Sequence, residues 1–176
     1  SPHPAAAAGT LVYGMPAETD ILDPHATGGW ATYQVTYQIF ESFVKEDLTD
    51  AKAATPKLVP GLATAWEMSD DGKVYTFHLR PGVKFQDGTP FDAAAAKFNF
   101  ERFWDKSSPN YFPKAAAFVA AYTRWIDKVE VVDPMTIRVT LNAPNYEWIR
   151  TGLQSYGQPL MISPESVKKY GNDVVA

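Results

Sequence analysis

Residues 75–91 read YTFHLRPGVKFQDGTPF, and the spacing within this run decides how the chain folds. Tyr75, Phe77 and Leu79 alternate with Thr76 and His78, the period of two expected of a strand with one buried face. Burying three such side chains is worth about 1.5–3 kcal/mol each. Pro81-Gly82 suits the central positions of a type II turn, and Asp87-Gly88 marks a second turn. Upstream, Asp70-Asp71-Gly72-Lys73 is a hairpin turn, so residues 62–79 read as two antiparallel strands. Downstream, Asp92 is placed to cap a helix over AAAAKFNFERFWD, with Phe91 and Ala96 at the positions of a hydrophobic staple. Ala96, Phe100, Phe103 and Trp104 share one face of that helix.

The same reading extends outward. Residues 10–16, TLVYGMP, form a short β-prone run ending at a proline. Residues 18–30 are loop, with a Leu-Asp-Pro turn followed by Gly28-Gly29. Over residues 31–44 a helix is expected, its apolar stripe made by Val35, Ile39, Phe40 and Phe43. Residues 45–61 are charged and turn-rich, a surface crossing between units. Residues 106–116, KSSPNYFPKAA, read as a loop carrying Tyr111 and Phe112 at its tip. A second hairpin over 128–141 turns at Asp133-Pro134, with Ile137, Val139 and Leu141 inward. A short helix over 145–154 leads to an extended segment, and Ser163-Pro164 opens a last helix. Strands and helices thus follow one another in both hairpin and crossover order, which predicts a mixed α/β (α+β) fold.

Composition narrows the function. The chain has 176 residues, enough for one domain or two small ones, and 45% of them are hydrophobic. Aromatics reach 14%, which suits a large core and also pocket walls. The net charge of −4, with no Lys or Arg run, argues against a nucleic-acid partner or an anionic membrane surface. No apolar run approaches the roughly 20 residues of a membrane span. The opening SPHPAAAAG reads as a flexible leader and is compatible with what a removed signal peptide leaves behind. Absence of cysteine excludes disulfides, thiol nucleophiles and Cys-based metal sites. His3, His25 and His78 stand far apart and are expected as surface or turn residues, so neither a metal nor a cofactor is expected. No G-x-S-x-G, G-x-G-x-x-G or G-x-x-x-x-G-K-[ST] motif is present. Glu101 and Asp105 read as a solvated helix edge, and SDDGK lacks the later ligands of a calcium loop. Nothing in this inventory supports an enzyme.

Residues 65–102, AWEMSDDGKVYTFHLRPGVKFQDGTPFDAAAAKFNFER, closely resemble the extracellular solute-binding proteins of family 5, the peptide and nickel receptors of ABC importers. The resemblance rests on Trp66, Asp71-Gly72, Thr76-Phe77, Leu79-Arg80, Val83-Lys84-Phe85, Asp87-Gly88, Pro90-Phe91 and Arg102. ILDPH (residues 21–25), VDPMTIRVTL and MISPESV add support on both sides. Where the family carries an acidic pair and a valine after Phe91, this chain has Ala93 to Ala96, equally good helix formers. The family's chains are longer, so the resemblance implies the N-terminal portion of such a receptor.

By that resemblance the fold is periplasmic-binding-protein-like, type II, with an extra domain II. Residues 1–45 would begin domain I, 46–155 would form domain II, and 156–176 would return to domain I. The expected protein is periplasmic, monomeric at full length, without a cofactor. Its partners would be a peptide or other small-molecule ligand and the membrane subunits of an ABC permease. A sensory or structural solute-binding domain of the same fold, without a transport role, is the alternative. The candidate ligand-binding residues follow from the family's pattern. Thr27, Gly28, Gly29 and Trp30 lie where peptide-binding relatives run a loop along the ligand; two glycines permit close approach and Trp30 offers a flat wall, although a plain turn with a core tryptophan would look the same. Tyr111 and Phe112 match a place where relatives turn an aromatic toward the cleft, or are surface aromatics. Tyr156, Gly157 and Gln158 match a place where some relatives present a basic side chain, which Gly157 lacks.

Overall fold

The structure, a computed structural model, describes residues 9, 13–152 and 160–173. Its centre is a four-stranded antiparallel sheet built from β3 (Ala63–Met68), β4 (Val74–Leu79), β5 (Ile126–Asp133) and β6 (Thr136–Leu141), in the order β3-β4-β6-β5. The two expected hairpins supply all four strands, and β4 pairs with β6 to join them. Tyr75, Phe77 and Leu79 face the core, as their alternation requires, together with Ile137, Val139 and Leu141 from β6. Gly82 (φ +74°) and Gly88 (φ +86°) take the left-handed conformations that the two turns after β4 demand.

Helix α2 (Ala93–Phe103) lies against β5 and β6. Asp92 caps it by accepting the Ala95 amide at 2.8 Å. Ala96, Phe100 and Phe103 are buried on the sheet, and Trp104 is partly buried beside them. Phe43, Phe77, Phe100 and Phe103 form a chain of edge-on ring contacts at 5.2–5.8 Å through this core. Trp148, at the start of α4 (Trp148–Gly152), closes one end: its ring sits 5.3 Å from that of Tyr75.

Four local expectations differ from the structure. Residues 45–61 contain a small ladder, with β1 (Val44–Glu46) antiparallel to β2 (Leu58–Pro60); three-residue strands are too short to leave a periodic signal. Pro113–Thr123 is a helix, α3, with Pro113 in its first turn, so Tyr111 and Phe112 are not a loop tip. Phe112 is the residue that enters this helix, and its ring packs on the core. Tyr13, Gly14 and Met15 are not in a strand, and the rest of the β-prone run, 10–12, lies outside the described residues.

Helix α1 (Trp30–Ile39) ends four residues before Phe43. Its buried face is Ala31, Thr32 and Thr36, whereas Ile39 is exposed. The apolar stripe therefore does not select the packed side; hydrogen bonds to the preceding loop do. The last helix, α5 (Pro164–Tyr170), begins as expected, with the Ser163 hydroxyl accepting the Ser166 amide, and runs into a short 3-10 turn, Gly171–Asp173.

Candidate functional site

The TGGW loop is built from Asp20 outward. The Asp20 carboxylate accepts hydrogen bonds from the hydroxyls of Thr27, at 2.8 and 3.0 Å, and Thr32. Those bonds, that from Thr32 foremost, hold its carboxyl below the usual range. Thr27 Oγ1 in turn accepts the Gly29 amide at 3.0 Å, and Tyr33 donates its hydroxyl to the Thr27 carbonyl at 2.6 Å. Thr27 is fully buried, and its hydroxyl is committed to the loop itself. Gly28 is exposed, Gly29 is half-buried, and Trp30 stands 54% exposed at the first turn of α1. A Cβ on Gly28 would stand 2.8 Å from a ring carbon of Phe118 on α3, so only glycine fits there without displacing that ring.

Just before this loop lies a buried polar junction. Asp23, His25 and Arg102 are all fully or nearly fully buried. Arg102 Nη2 donates to Asp23 Oδ2 at 2.5 Å and Nη1 to Asp23 Oδ1 at 3.2 Å, a bidentate pair. Nη1 also donates to His25 Nδ1 at 2.9 Å, and Nη2 to Asn172 Oδ1 at 3.2 Å. Because Arg has no acceptor, His25 Nδ1 must be unprotonated, which leaves Nε2–H to donate to the Leu160 carbonyl at 2.6 Å. Burial, and then the charge of Arg102, lower the His25 pKa to about 4. Burial pushes Asp23 upward, but the Arg102 bond and the neighbouring positive charge outweigh it and hold the carboxyl low. The Phe112 ring lies 4.8 Å from the guanidinium, and Phe103 meets His25 edge-on.

His25 is thus the core of a network rather than a surface or turn residue. A lone histidine after a proline carries no signal for this; its partners lie 77 and 135 residues away. Arg102 and Asn99 share a second buried face of α2, opposite in character to the apolar one. Asn99 brackets Ile162, accepting its amide and donating to its carbonyl, both at 2.9 Å. The segment 160–163 is fixed residue by residue: Leu160 by His25, Met161 by the Glu41 carbonyl, Ile162 by Asn99 and Ser163 by Asp87. Asp87 also accepts the Ser166 hydroxyl at 3.0 Å and the Thr89 hydroxyl, and bonds from Ser163 and Thr89 keep its carboxyl far below the usual range. The Asp87-Gly88 turn is therefore a latch on the start of α5 as well as a turn.

Tyr111 lines a groove of about 490 Å³ between α2 and α3, on the side of Trp104 and Arg124. Phe112 is held under Arg102, so these two side chains do not form one aromatic tip. Tyr156, Gly157 and Gln158 lie outside the described residues. Among the described residues no group of three or more His, Asp or Glu could hold a metal ion, and no helix is long and apolar enough to cross a membrane.

Comparison with known proteins places the chain in a family. The chain is 35% identical over 171 residues to the glutathione-binding protein GsiB of Salmonella paratyphi A, covering 97% of this chain and 30% of that protein. It superposes on Haemophilus influenzae OppA in complex with the peptide RPPGFSPFR with a TM-score of 0.75 at 28% identity, covering 91% of this chain and 32% of the other. Against Helicobacter pylori DppA in complex with the peptide STSA the TM-score is 0.70 at 29% identity, over 87% of this chain and 30% of the other. The chain spans about 30% of the length of the curated relatives it matches. Residues 57–174 match the profile of the bacterial extracellular solute-binding proteins, family 5 Middle. That match covers most of the chain, including the sheet, α2 with its buried Arg102, and α5, and the chain belongs to the family 5 bacterial extracellular solute-binding proteins.

Proposed function

We propose that this chain is the N-terminal portion of a substrate-binding receptor of an ABC importer, which captures an oligopeptide or similar small solute between two lobes and delivers it to membrane permease subunits. In this reading the receptor works in the periplasm as a monomer. Residues 1–45 and 156–176 belong to the ligand-binding lobe and 46–155 to the family's extra domain. The facing lobe belongs to the remainder of the longer polypeptide, and closure about a hinge traps the solute.

The observation that carries the reading is the loop at residues 27–30. A hydrogen-bonded frame around Asp20 pins its backbone while Gly28 and Trp30 stay open to solvent. A rigid backbone with an exposed indole is preorganised for an extended ligand that stacks on one side and bonds along its main chain. The buried Asp23–Arg102–His25 junction immediately before the loop fixes where that edge points.

Native mass spectrometry of the full-length protein as purified tests the ligand class, with a peptide-mass adduct expected. Calorimetry of the wild type and Trp30→Ala with that adduct, and with glutathione and tri-alanine, tests the site. Trp30→Ala is expected to weaken binding about tenfold, the scale of a lost aromatic contact, with melting unchanged. Equal affinities would remove the loop from the site.

A further inference from the structure

Helix α3 gives its two sides to different neighbours. Residues two apart on a helix point about 160° away from each other, so Ala116 and Ala120 lie on the side opposite Phe118, which sits over Gly28. That second side borders the groove of about 490 Å³ between α2 and α3. The body of a helix, about 10 Å across, therefore separates the groove from the 27–30 loop. Ala116, Ala117 and Ala120 carry nothing beyond Cβ, which leaves a trough between α3 and the Trp104 and Tyr111 wall. Trp104 already gives its indole N–H to the Ile126 carbonyl at 3.0 Å, and Thr123 its hydroxyl to the Val119 carbonyl at 3.3 Å, so both add chiefly apolar surface. The polar side-chain groups left uncommitted along the groove are the Lys106 ammonium, the Arg124 guanidinium and the Tyr111 hydroxyl, and all three can donate. Among the described residues neither cation has an ion-pair partner; Arg124 rests over the Trp125 ring at 5.4 Å. Asp105, beside Lys106 in sequence, is taken up by the Ser107 amide at 2.9 Å and hydroxyl at 2.6 Å. No Asp or Glu lines the groove. The groove of about 500 Å³ beside α5 is the contrast, for its Lys97 and Lys168 are bridged to Glu101 and Glu165 at 3.3 and 2.6 Å. A net charge of −4 makes a groove lined by cations and no carboxylate a local feature of this face.

We propose that the groove between α2 and α3 is a second binding site, for an amphiphilic organic anion: a free carboxylate on an unbranched apolar chain. Charge complementarity selects the occupant. Arg124 and Lys106 hold the carboxylate, with the Tyr111 hydroxyl as a further donor, and the apolar chain lies along the alanine face of α3 against Trp104. A cationic amphiphile meets two like charges there and no counter-charge. The site is independent of the receptor reading above, because it lies across α3 from the loop on which that reading rests.

Fluorescence of the amphiphilic anion 8-anilino-1-naphthalenesulfonate with the full-length protein tests this. Enhanced emission is expected, reversed by decanoate but not by decylammonium, tri-alanine or glutathione. Lys106→Gln combined with Arg124→Gln should weaken decanoate about tenfold, roughly threefold for each exposed charge. Ala117→Glu, at an exposed helix position, puts a carboxylate into the groove and should weaken decanoate at least threefold with melting unchanged; it provides the test if the double variant does not fold. Equal reversal by decanoate and decylammonium, or decanoate affinity unchanged in both variants, overturns the proposal. So does absence of decanoate binding by wild type. Reversal by tri-alanine or glutathione would place the probe in the solute cleft, and binding to phosphatidylglycerol vesicles without binding of decanoate would make the face a lipid surface; either result overturns the proposal and leaves the receptor reading intact.

Discussion

Replacing Arg102 by methionine keeps an unbranched apolar stem and its helix propensity but shortens the side chain and deletes the guanidinium. The side chains of Arg102 and Asp23 are both fully buried. Breaking such a pair by removing one partner typically costs about 3–5 kcal/mol, because the remaining charge is buried without compensation. His25 Nδ1 and Asn172 Oδ1 also lose their donor, and an orphaned buried acceptor costs about 1–3 kcal/mol. These losses share one network and do not add, so an overall cost of about 4 kcal/mol is expected. Urea denaturation of the full-length protein followed by tryptophan emission reads it out as a lower midpoint. Asp23→Asn with Arg102→Met removes both charges and should cost less than the two single substitutions together, by about 2 kcal/mol or more. The Arg102→Met penalty should also shrink on acidification, because Asp23 can then take a proton. A cost below about 1 kcal/mol, or strict additivity in the double variant, would refute the claim that this junction is an interdependent ion pair.

The junction should also make stability acid-sensitive. His25 is held neutral when folded, with its pKa lowered to about 4 from 6.5, so its contribution is complete above pH 6.5 and is lost as pH falls toward 4. The unfolded chain takes up a proton across that window and the folded one does not, a loss of about 3 kcal/mol at about 1.4 kcal/mol per pH unit. Denaturation midpoints measured from pH 7 to pH 4 should show a steeper fall for wild type than for His25→Asn; parallel profiles would place the titration elsewhere. Phe77→Ala, in the middle of the central strand, should cost about 3–5 kcal/mol in the same assay, and a midpoint equal to wild type would contradict the sheet core. Asp87→Ala removes the acceptor of Ser163, Ser166 and Thr89 and should cost about 1–2 kcal/mol, the scale of a lost cap. Faster amide exchange confined to α5 and the 84–90 turn is expected alongside it, and exchange unchanged in α5 would show that the latch is not needed there.

Local chemistry was enough to read the sheet and its turns. The alternation of Tyr75, Phe77 and Leu79, the Asp-Gly turns, the Asp92 cap and the Ser163-Pro164 helix start all act over two to four residues, which is the range over which a strand or a helix turn determines itself. The same run carries enough specific spacing to point to the family. Short or weakly patterned elements escaped: β1 and β2 have three residues each, and α3 opens with alanines that give no periodic stripe. In α1 the apolar positions gave the wrong buried face, because Thr32 and Thr36 are drawn inward, Thr32 by its bond to Asp20, while Ile39 is left outside.

Of the candidate site, the sequence by itself determined that residues 27–30 form a glycine-rich loop ending in an aromatic side chain. It could not place His25, Asp23 and Arg102 together. The pairs that join them are separated by 77 and 79 residues, and a buried ion pair leaves no periodicity in the segments it connects. Phe118 was invisible for the same reason: an exposed aromatic on a helix has no local cause, and its seat over Gly28 exists only once α3 is packed beside the loop. Elements follow from short-range backbone and burial rules that the sequence spells out. Convergence of charged and aromatic side chains depends on where whole elements stop against one another, and that the tertiary structure alone decides.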